Sequence, residues 1–141
     1  MNATLAPTET ATQPRWMVVD DNQDLLLMMK LIFEKEAHGH TVECFDSPEA
    51  ALQAFASAPA EYEVVITDFE MPGIDGVELC RRLRAVARGV KVILATGSGF
   101  FTETAAAHAG FLGLINKPFR LEKLHAVLAD AGVKIDPAVT A

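Results

Sequence analysis

Cysteine is scarce in this sequence, and neither of its two cysteines lies in a spacing that is typical of a metal site or a disulfide framework. Cys44 and Cys80 each fall within an apolar segment. Free thiols in such segments are usually buried and behave as small apolar side chains. We therefore predict two buried free cysteines, which are typical of a reducing compartment.

Long apolar runs are also missing. The sequence has no run of 18 apolar residues, which excludes a conventional transmembrane helix. Residues 1–14 have neither a basic leader nor an apolar core, so they do not read as a signal peptide. Their polar composition predicts a disordered N-terminal tail. We expect a cytoplasmic protein with no membrane partner.

Basic residues are in the minority, with 12 lysines and arginines against 19 acidic residues and a formal net charge of -7. This balance argues against direct binding to nucleic acid. A length of 141 residues, half of them apolar, is enough for one well-packed domain. We place this domain at residues 15–131 and a C-terminal tail at residues 132–141, which leaves no room for an output domain.

Short apolar runs alternate with longer amphipathic segments along the chain. This alternation predicts an α/β fold with a parallel sheet covered by helices on both faces. The predicted strands are Trp16–Val19, Thr41–Phe45, Val64–Thr67, Val90–Ala95 and Leu112–Ile115. The predicted helices are Asp24–Ala37, a short helix capped by Ser47, Asp75–Ala87 with Asp75 as its cap, Thr102–Ala109 and Leu121–Ala131. The methionines and phenylalanines are assigned to the core.

Polar side chains follow all five predicted strands, but those after the second strand read better as the start of a helix. Asp20 and Asp21 follow the first strand and Asp68 follows the third, while Thr96 and Lys117 follow the fourth and fifth. In an open parallel sheet, ligands bind beyond the carboxyl ends of the strands. We therefore expect these five side chains to lie close together.

The residue types in this set suit phosphoryl transfer. Carboxylates bind hard cations such as Mg²⁺, and a lysine is a compact charge for a phosphate. A threonine hydroxyl and the backbone of the "GSG" run at residues 97–99 can donate to phosphoryl oxygens. An aspartate pair alone is more often a helix cap or a solvated loop. Only the joint occurrence at successive strand ends predicts this chemistry.

Four motifs, in order, resemble those of the receiver domains of two-component response regulators. They are "VVDD" at Val18–Asp21, "TDFEMPGIDG" at Thr67–Gly76, "LATG" at Leu94–Gly97 and "NKPF" at Asn116–Phe119. The resemblance extends over about residues 15–131. It implies a three-layer (βα)5 doubly wound fold with the flavodoxin-like strand order 2-1-3-4-5.

The resemblance also implies a role for each site residue. Asp68 would be the phosphoacceptor, Thr96 the switch hydroxyl and Lys117 the ligand of the phosphoryl group, and Lys117–Pro118 would be a cis peptide. The implied Mg²⁺ ligands are Asp20, Asp21, Asp68 and the backbone carbonyl of Glu70. Within the first pair, we expect Asp21 to bind the metal directly and Asp20 to contact it through water.

The implied partners are a histidine kinase or histidine phosphotransfer protein, which supplies the phosphoryl group, and an output protein. The output protein would bind the face formed by the fourth helix, the fifth strand and the fifth helix. The chain would then be a signalling module whose only chemistry is its own phosphorylation and dephosphorylation.

The sequence departs from the family at the position three residues before Lys117. The family commonly has an aromatic switch residue there, whereas this chain has Leu114. Phe100 and Phe101 could supply moving apolar surface instead, although we assign them to the edge of the core. Glu70 and Ser98 occupy positions that flank the path of the hydrolytic water in this family.

Two alternatives stay open from the sequence. A phosphatase of the haloacid dehalogenase kind also uses Mg²⁺ and an aspartate nucleophile, but it would have D-x-D after its first strand instead of the adjacent Asp20 and Asp21. A pseudo-receiver would bind partners without phosphorylation. The intact set of Asp68, Thr96 and Lys117 argues against it.

Overall fold

The computed structural model describes residues 15–36, 41–97, 99 and 101–133. The predicted N-terminal tail, residues 134–141 of the predicted C-terminal tail, Ala37, Ser98 and Phe100 lie outside the described residues. Within these described ranges there are five strands, namely β1 (Arg15–Val19), β2 (Thr41–Phe45), β3 (Tyr62–Thr67), β4 (Val92–Thr96) and β5 (Gly113–Asn116). The α-helices are α1 (Gln23–Glu36), α2 (Pro48–Ser57), α3 (Gly76–Val86), α4 (Glu103–His108) and α5 (Leu121–Asp130), and one 3₁₀ turn lies at Pro59–Glu61.

The five strands form a single parallel sheet in the order β2-β1-β3-β4-β5. The predicted α/β class and the strand order 2-1-3-4-5 are therefore confirmed. Strand β3 lies at the centre of the sheet, between β1 and β4. The residue that follows β3 is consequently placed at the middle of the carboxyl edge.

Alternate residues of each strand pack into two apolar layers, one on each face of the sheet. In β1, Trp16 and Val18 pack into the layer formed with α1 and α5, and Met17 and Val19 pack into the opposite layer. Helices α2, α3 and α4 supply the helical side of that second layer. Full burial of each large side chain contributes about 1.5–3 kcal/mol, so both layers stabilise the sheet. The first layer extends to Val133, which is buried.

Side-chain caps fix where the helices begin. Ser47 Oγ accepts the N–H of Ala50 at 3.2 Å, and Asp75 Oδ1 accepts the N–H of Glu78 at 2.8 Å, as predicted. The hydroxyl of Thr102 caps α4 in the same way. The side-chain oxygen of Asn22 accepts the N–H of Leu25 at 3.1 Å at the start of α1. Neither of these last two caps was predicted.

Several predicted boundaries and burial assignments are wrong. Strand β4 begins at Val92 because Val90, although buried, precedes the paired segment. Met28 is 51% exposed, contrary to the assignment of the methionines to the core. Cys44 is a free cysteine but only partly buried.

Cys80 is buried and free, as predicted. Burial raises the pKa of its thiol to about 11, which keeps it protonated and unreactive near neutral pH. Among the residues that the structure describes, no helix has the length and apolar character needed to cross a bilayer.

Candidate functional site

Three carboxylates meet at the carboxyl ends of two neighbouring strands. Asp20 and Asp21 follow β1, and Asp68 follows β3, which pairs with β1. One carboxylate oxygen from each residue lies within 4.8 Å of the other two. Asp20 is buried, with 3% of its surface exposed, whereas Asp21 is exposed and Asp68 is partly buried. The cluster therefore opens to solvent on the Asp21 side.

Lys117 lies between two members of this cluster. Its Nζ donates a hydrogen bond to Asp20 Oδ2 and lies 3.5 Å from Asp68 Oδ1. The N–H of Lys117 donates to the carbonyl oxygen of Thr96 at 2.9 Å, which extends the pairing of β5 with β4 to the site. The Lys117–Pro118 peptide is cis, as the resemblance implied.

Backbone N–H groups hold the carboxylates in place. Asp20 Oδ1 accepts the N–H of Asn22 at 2.9 Å, and Asp68 Oδ1 accepts the N–H of Phe69 at 2.8 Å. The N–H of Asp68 donates to the carbonyl oxygen of Val19 at 2.9 Å. The last of these bonds continues the β1–β3 pairing into the site, and the other two orient the carboxylates of Asp20 and Asp68.

The environment of Asp68 raises the pKa of its carboxyl group above the ordinary value. Burial has the largest effect and raises the pKa of its carboxyl group. The charge of Lys117 lowers this pKa and that of Asp20 raises it again, and the net direction is upward from the ordinary value of 3.8. The single lysine thus does not offset burial and the neighbouring acid.

The loop from β3 to α3 requires glycine at position 76. The N–H of Gly76 donates to the carbonyl oxygen of Phe69 at 2.8 Å, which folds the loop back onto the strand end. A Cβ at this position would overlap the carbonyl oxygen of Asp68 and lie 3.1 Å from its carbonyl carbon. Only glycine permits so close an approach of the two backbones.

Thr96 and Glu70 differ in their burial. Thr96 is buried at the end of β4, where it pairs in register with Asn116 of β5. Glu70 is exposed two residues beyond Asp68, and its carboxylate is not part of the three-acid cluster. The structure therefore brings Asp20, Asp21, Asp68 and Lys117 into one group and places Thr96 at the adjacent strand end. Ser98 lies outside the described residues.

The donors of the cluster suit a hard divalent cation. All three are carboxylate oxygens, which Mg²⁺ prefers, and the exposed side leaves room for water or phosphate oxygens in its remaining positions. When ionised, three carboxylates and one lysine leave a net charge of -3 + 1 = -2. A divalent cation would neutralise this excess, so the residues present fit Mg²⁺.

Sequence reasoning did not identify two groups that shape the site. The N–H groups of Asn22 and Phe69 bond to Asp20 and Asp68. Neither bond carried a signal in the sequence, because both N–H groups belong to the backbone. The cap that the Asn22 side chain forms on α1 did carry one, since asparagine just before an amphipathic segment is a common helix cap.

Comparisons with known proteins agree on one family. The sequence model of the family described as response regulator receiver domain matches residues 16–129. The transcriptional regulatory protein FixJ of Bradyrhizobium diazoefficiens is 30% identical over 122 residues, which are 86% of this chain and 58% of FixJ. The chain therefore spans little more than half the length of that relative.

Two solved structures are similar over most of their own lengths. A response regulator receiver domain protein from Clostridium thermocellum has a TM-score of 0.76 and 26% identity, covering 84% of this chain and 93% of that one. The response regulator TrrA from Thermotoga maritima, solved in complex with Mg²⁺ and BeF, has a TM-score of 0.71 and 28% identity, covering 84% and 98%. With the family match over most of its length and the strand order 2-1-3-4-5, this chain belongs to the response regulator receiver domains of two-component signalling.

Proposed function

We propose that this receiver domain accepts a phosphoryl group on Asp68, with Mg²⁺, from a histidine kinase or a histidine phosphotransfer protein. The observation that carries the proposal is the position of the Asp68 carboxylate. It lies within 4.8 Å of two further carboxylates and 3.5 Å from the ammonium group of Lys117. A nucleophilic carboxylate, acidic metal ligands and a phosphate-binding cation are the groups that this reaction needs.

Asp68 is a better nucleophile candidate than Asp20. Both oxygens of Asp20 are engaged, one by the N–H of Asn22 and the other by Lys117, and the residue is almost fully buried. Asp68 Oδ1 accepts the N–H of Phe69, whereas Oδ2 accepts no hydrogen bond from the residues that the structure describes. Asp68 also follows the central strand, so it lies at the middle of the carboxyl edge of the sheet.

In the proposed reaction, Asp68 Oδ2 attacks the phosphorus of a phosphohistidine. The O–P bond forms as the P–N bond breaks, and the imidazole nitrogen that leaves takes up a proton. Lys117 Nζ balances negative charge on the phosphoryl oxygens, and the hydroxyl of Thr96 donates to one of them. Asp20, Asp21, Asp68 and the backbone carbonyl of Glu70 would hold Mg²⁺, which when bound neutralises charge on the reacting oxygens.

We further propose that phosphorylation changes the face formed by α4, β5 and α5, and that an output protein reads this change. A groove of about 300 Å³ lies on this face between α4 and α5. Apolar side chains contribute to its lining, among them Phe111, Leu112 and Leu114. The related protein TrrA, which was solved with Mg²⁺ and BeF, supports the same ligand chemistry here.

Acetyl phosphate with Mg²⁺ tests the proposal by intact mass. We expect the mass to increase by one phosphoryl group, and we expect Asp68→Asn or a chelator to abolish the increase. Asp75→Asn is the matched control because it changes an aspartate of the same loop, and asparagine can still cap α3.

An unmodified wild-type protein under these conditions would contradict the proposal and favour a pseudo-receiver that binds without phosphorylation. Rapid turnover of many phosphomonoesters would instead favour a phosphatase.

A further inference from the structure

Two phenylalanine rings bridge the Asp68 loop and the segment that leads into α4. The ring centroids of Phe69 and Phe101 lie 4.8 Å apart, and the ring planes meet at 75°, an edge-to-face contact. Both rings are partly buried against the apolar layer beneath α2, α3 and α4. The contact therefore joins two loops at the carboxyl edge of the sheet.

The Phe69 end of this contact is bonded to the candidate phosphorylation site. Its N–H donates to Asp68 Oδ1 at 2.8 Å, and its carbonyl oxygen accepts the N–H of Gly76 at 2.8 Å. A change at the Asp68 carboxylate acts directly on the first of these bonds. The position of the Phe69 peptide, and with it the ring, thus depends on the state of Asp68.

The Phe101 end is joined to the start of α4. Phe101 directly precedes Thr102, whose hydroxyl caps the helix by accepting the N–H of Ala105 at 3.0 Å. The helix has only six residues, so a displacement of its first turn moves most of its length. Holding Phe101 in place therefore holds α4 in place.

The position where the family commonly has its aromatic switch residue is filled differently. Leu114 is buried in the same apolar layer and has no ring to swing. The aromatic contact that links the phosphorylation site to the α4 region lies instead between Phe69 and Phe101.

We propose that the Phe69–Phe101 contact is a latch that holds α4 in its position while Asp68 is unmodified. The inference rests on the proposed phosphorylation of Asp68. A phosphoryl group there draws the hydroxyl of Thr96, at the beginning of the β4–α4 segment, towards the site. The ring contact restrains Phe101 near the end of the same segment, so the two interactions oppose each other.

The latch predicts that removal of the ring contact raises the affinity for a phosphoryl mimic. Without the ring contact, less free energy is needed to move α4 from its position in the unmodified protein. Because coupling between two sites is reciprocal, a phosphoryl mimic then binds more tightly. Edge-to-face pairs have modest energies, which correspond to an affinity gain of about 2- to 10-fold. Phe69→Leu and Phe101→Leu should each produce this gain, and the double variant should gain little more than either alone.

Titration with beryllofluoride in the presence of Mg²⁺, followed by backbone amide NMR, tests the latch. In the unliganded variants, we expect the amides of α4 to lie already shifted towards their positions in the liganded wild type. Phe55→Leu is the matched control, because Phe55 is buried in the same layer but its ring contacts Tyr62, with centroids 5.8 Å apart. Its affinity should equal that of the wild type.

Unchanged or weaker affinity in both ring variants would overturn the latch, and so would an equal gain in Phe55→Leu. These outcomes leave the proposed function intact as long as beryllofluoride shifts the amides around Asp68 in the wild type. A wild type whose amides do not respond at all would overturn the proposed function, and the latch with it.

Discussion

Replacing Lys117 with methionine removes the positive charge held between Asp20 and Asp68 and retains a side chain of similar length. Asp20 is 3% exposed, and its Oδ2 loses the ammonium donor. Removing one partner of a buried ion pair costs about 3–5 kcal/mol. The Lys117 side chain is 19% exposed and the cluster opens to solvent, so we expect the lower end, a loss of about 3 kcal/mol of unfolding free energy at pH 7.

Urea unfolding in the presence of a chelator measures this loss. Trp16 is the single tryptophan and is fully buried in the folded protein, so its fluorescence reports global unfolding. Lys123→Met is the control, because Lys123 is exposed on α5 and its replacement should change stability by no more than about 0.5 kcal/mol.

The loss of unfolding free energy in Lys117→Met should depend on pH in a definite direction. The pKa of Asp68 is raised above 3.8 by burial, and Lys117 lowers it, so Lys117→Met raises it further. A raised folded-state pKa disfavours the folded state above that pKa, and the disadvantage disappears as the pH falls towards 3.8. The stability difference between the variant and the wild type should therefore narrow on acidification.

Saturating Mg²⁺ should also reduce the difference in unfolding free energy between the variant and the wild type at pH 7. In the variant the cation supplies the missing positive charge, and it does not have to compete with the lysine for Asp20. Equal stability of the two proteins in chelator at pH 7 would refute this reasoning. A large difference that depends on neither pH nor Mg²⁺ would refute it as well, because the loss would then come from packing.

Two further predictions concern Tyr62 and Glu70. Tyr62 donates to Glu43 Oε1 at 2.7 Å, and burial is the larger cause that raises its pKa from 10.0 to about 12. The unfolded chain ionises first, so stability should fall by up to about 3 kcal/mol as the pH rises from 10 through 12. Urea unfolding should show this loss of stability between pH 10 and pH 12 in the wild type and not in Tyr62→Phe. An equal change of unfolding free energy with pH in the two proteins would contradict the prediction. Glu70→Gln should change the decay rate of the phosphorylated protein, followed by intact mass, whereas Glu122→Gln on α5 should not; an unchanged rate in the first variant would refute the role of Glu70.

Much of the fold could be predicted because the apolar pattern and the capping residues are local properties of the sequence. Strand β2 has the predicted bounds, and the caps Ser47 and Asp75 were correct. The errors in the predicted starts of β4 and β5 arose because an apolar residue next to a strand need not pair with the neighbouring strand. Val90 is buried outside its strand, and the exposed Leu112 precedes β5.

The sequence predicted which residues come together at the candidate site but not how they contact one another. Parallel topology places the residues that follow successive strands at one edge, so Asp20 and Asp68 could be expected to meet. The bond between Lys117 and Asp20 joins residues 97 positions apart and depends on the path of the lysine side chain. The edge-to-face contact of Phe69 with Phe101 likewise depends on packing between loops, which no local pattern encodes.

The most direct measurement of the central claim is the location of the phosphoryl group. After reaction with acetyl phosphate and Mg²⁺, borohydride reduces an aspartyl phosphate to homoserine and leaves unmodified carboxylates intact. Peptide mapping by mass spectrometry then identifies the modified residue. We predict conversion at Asp68 alone, and conversion at Asp20, Asp21 or any other residue with Asp68 unmodified would contradict the account.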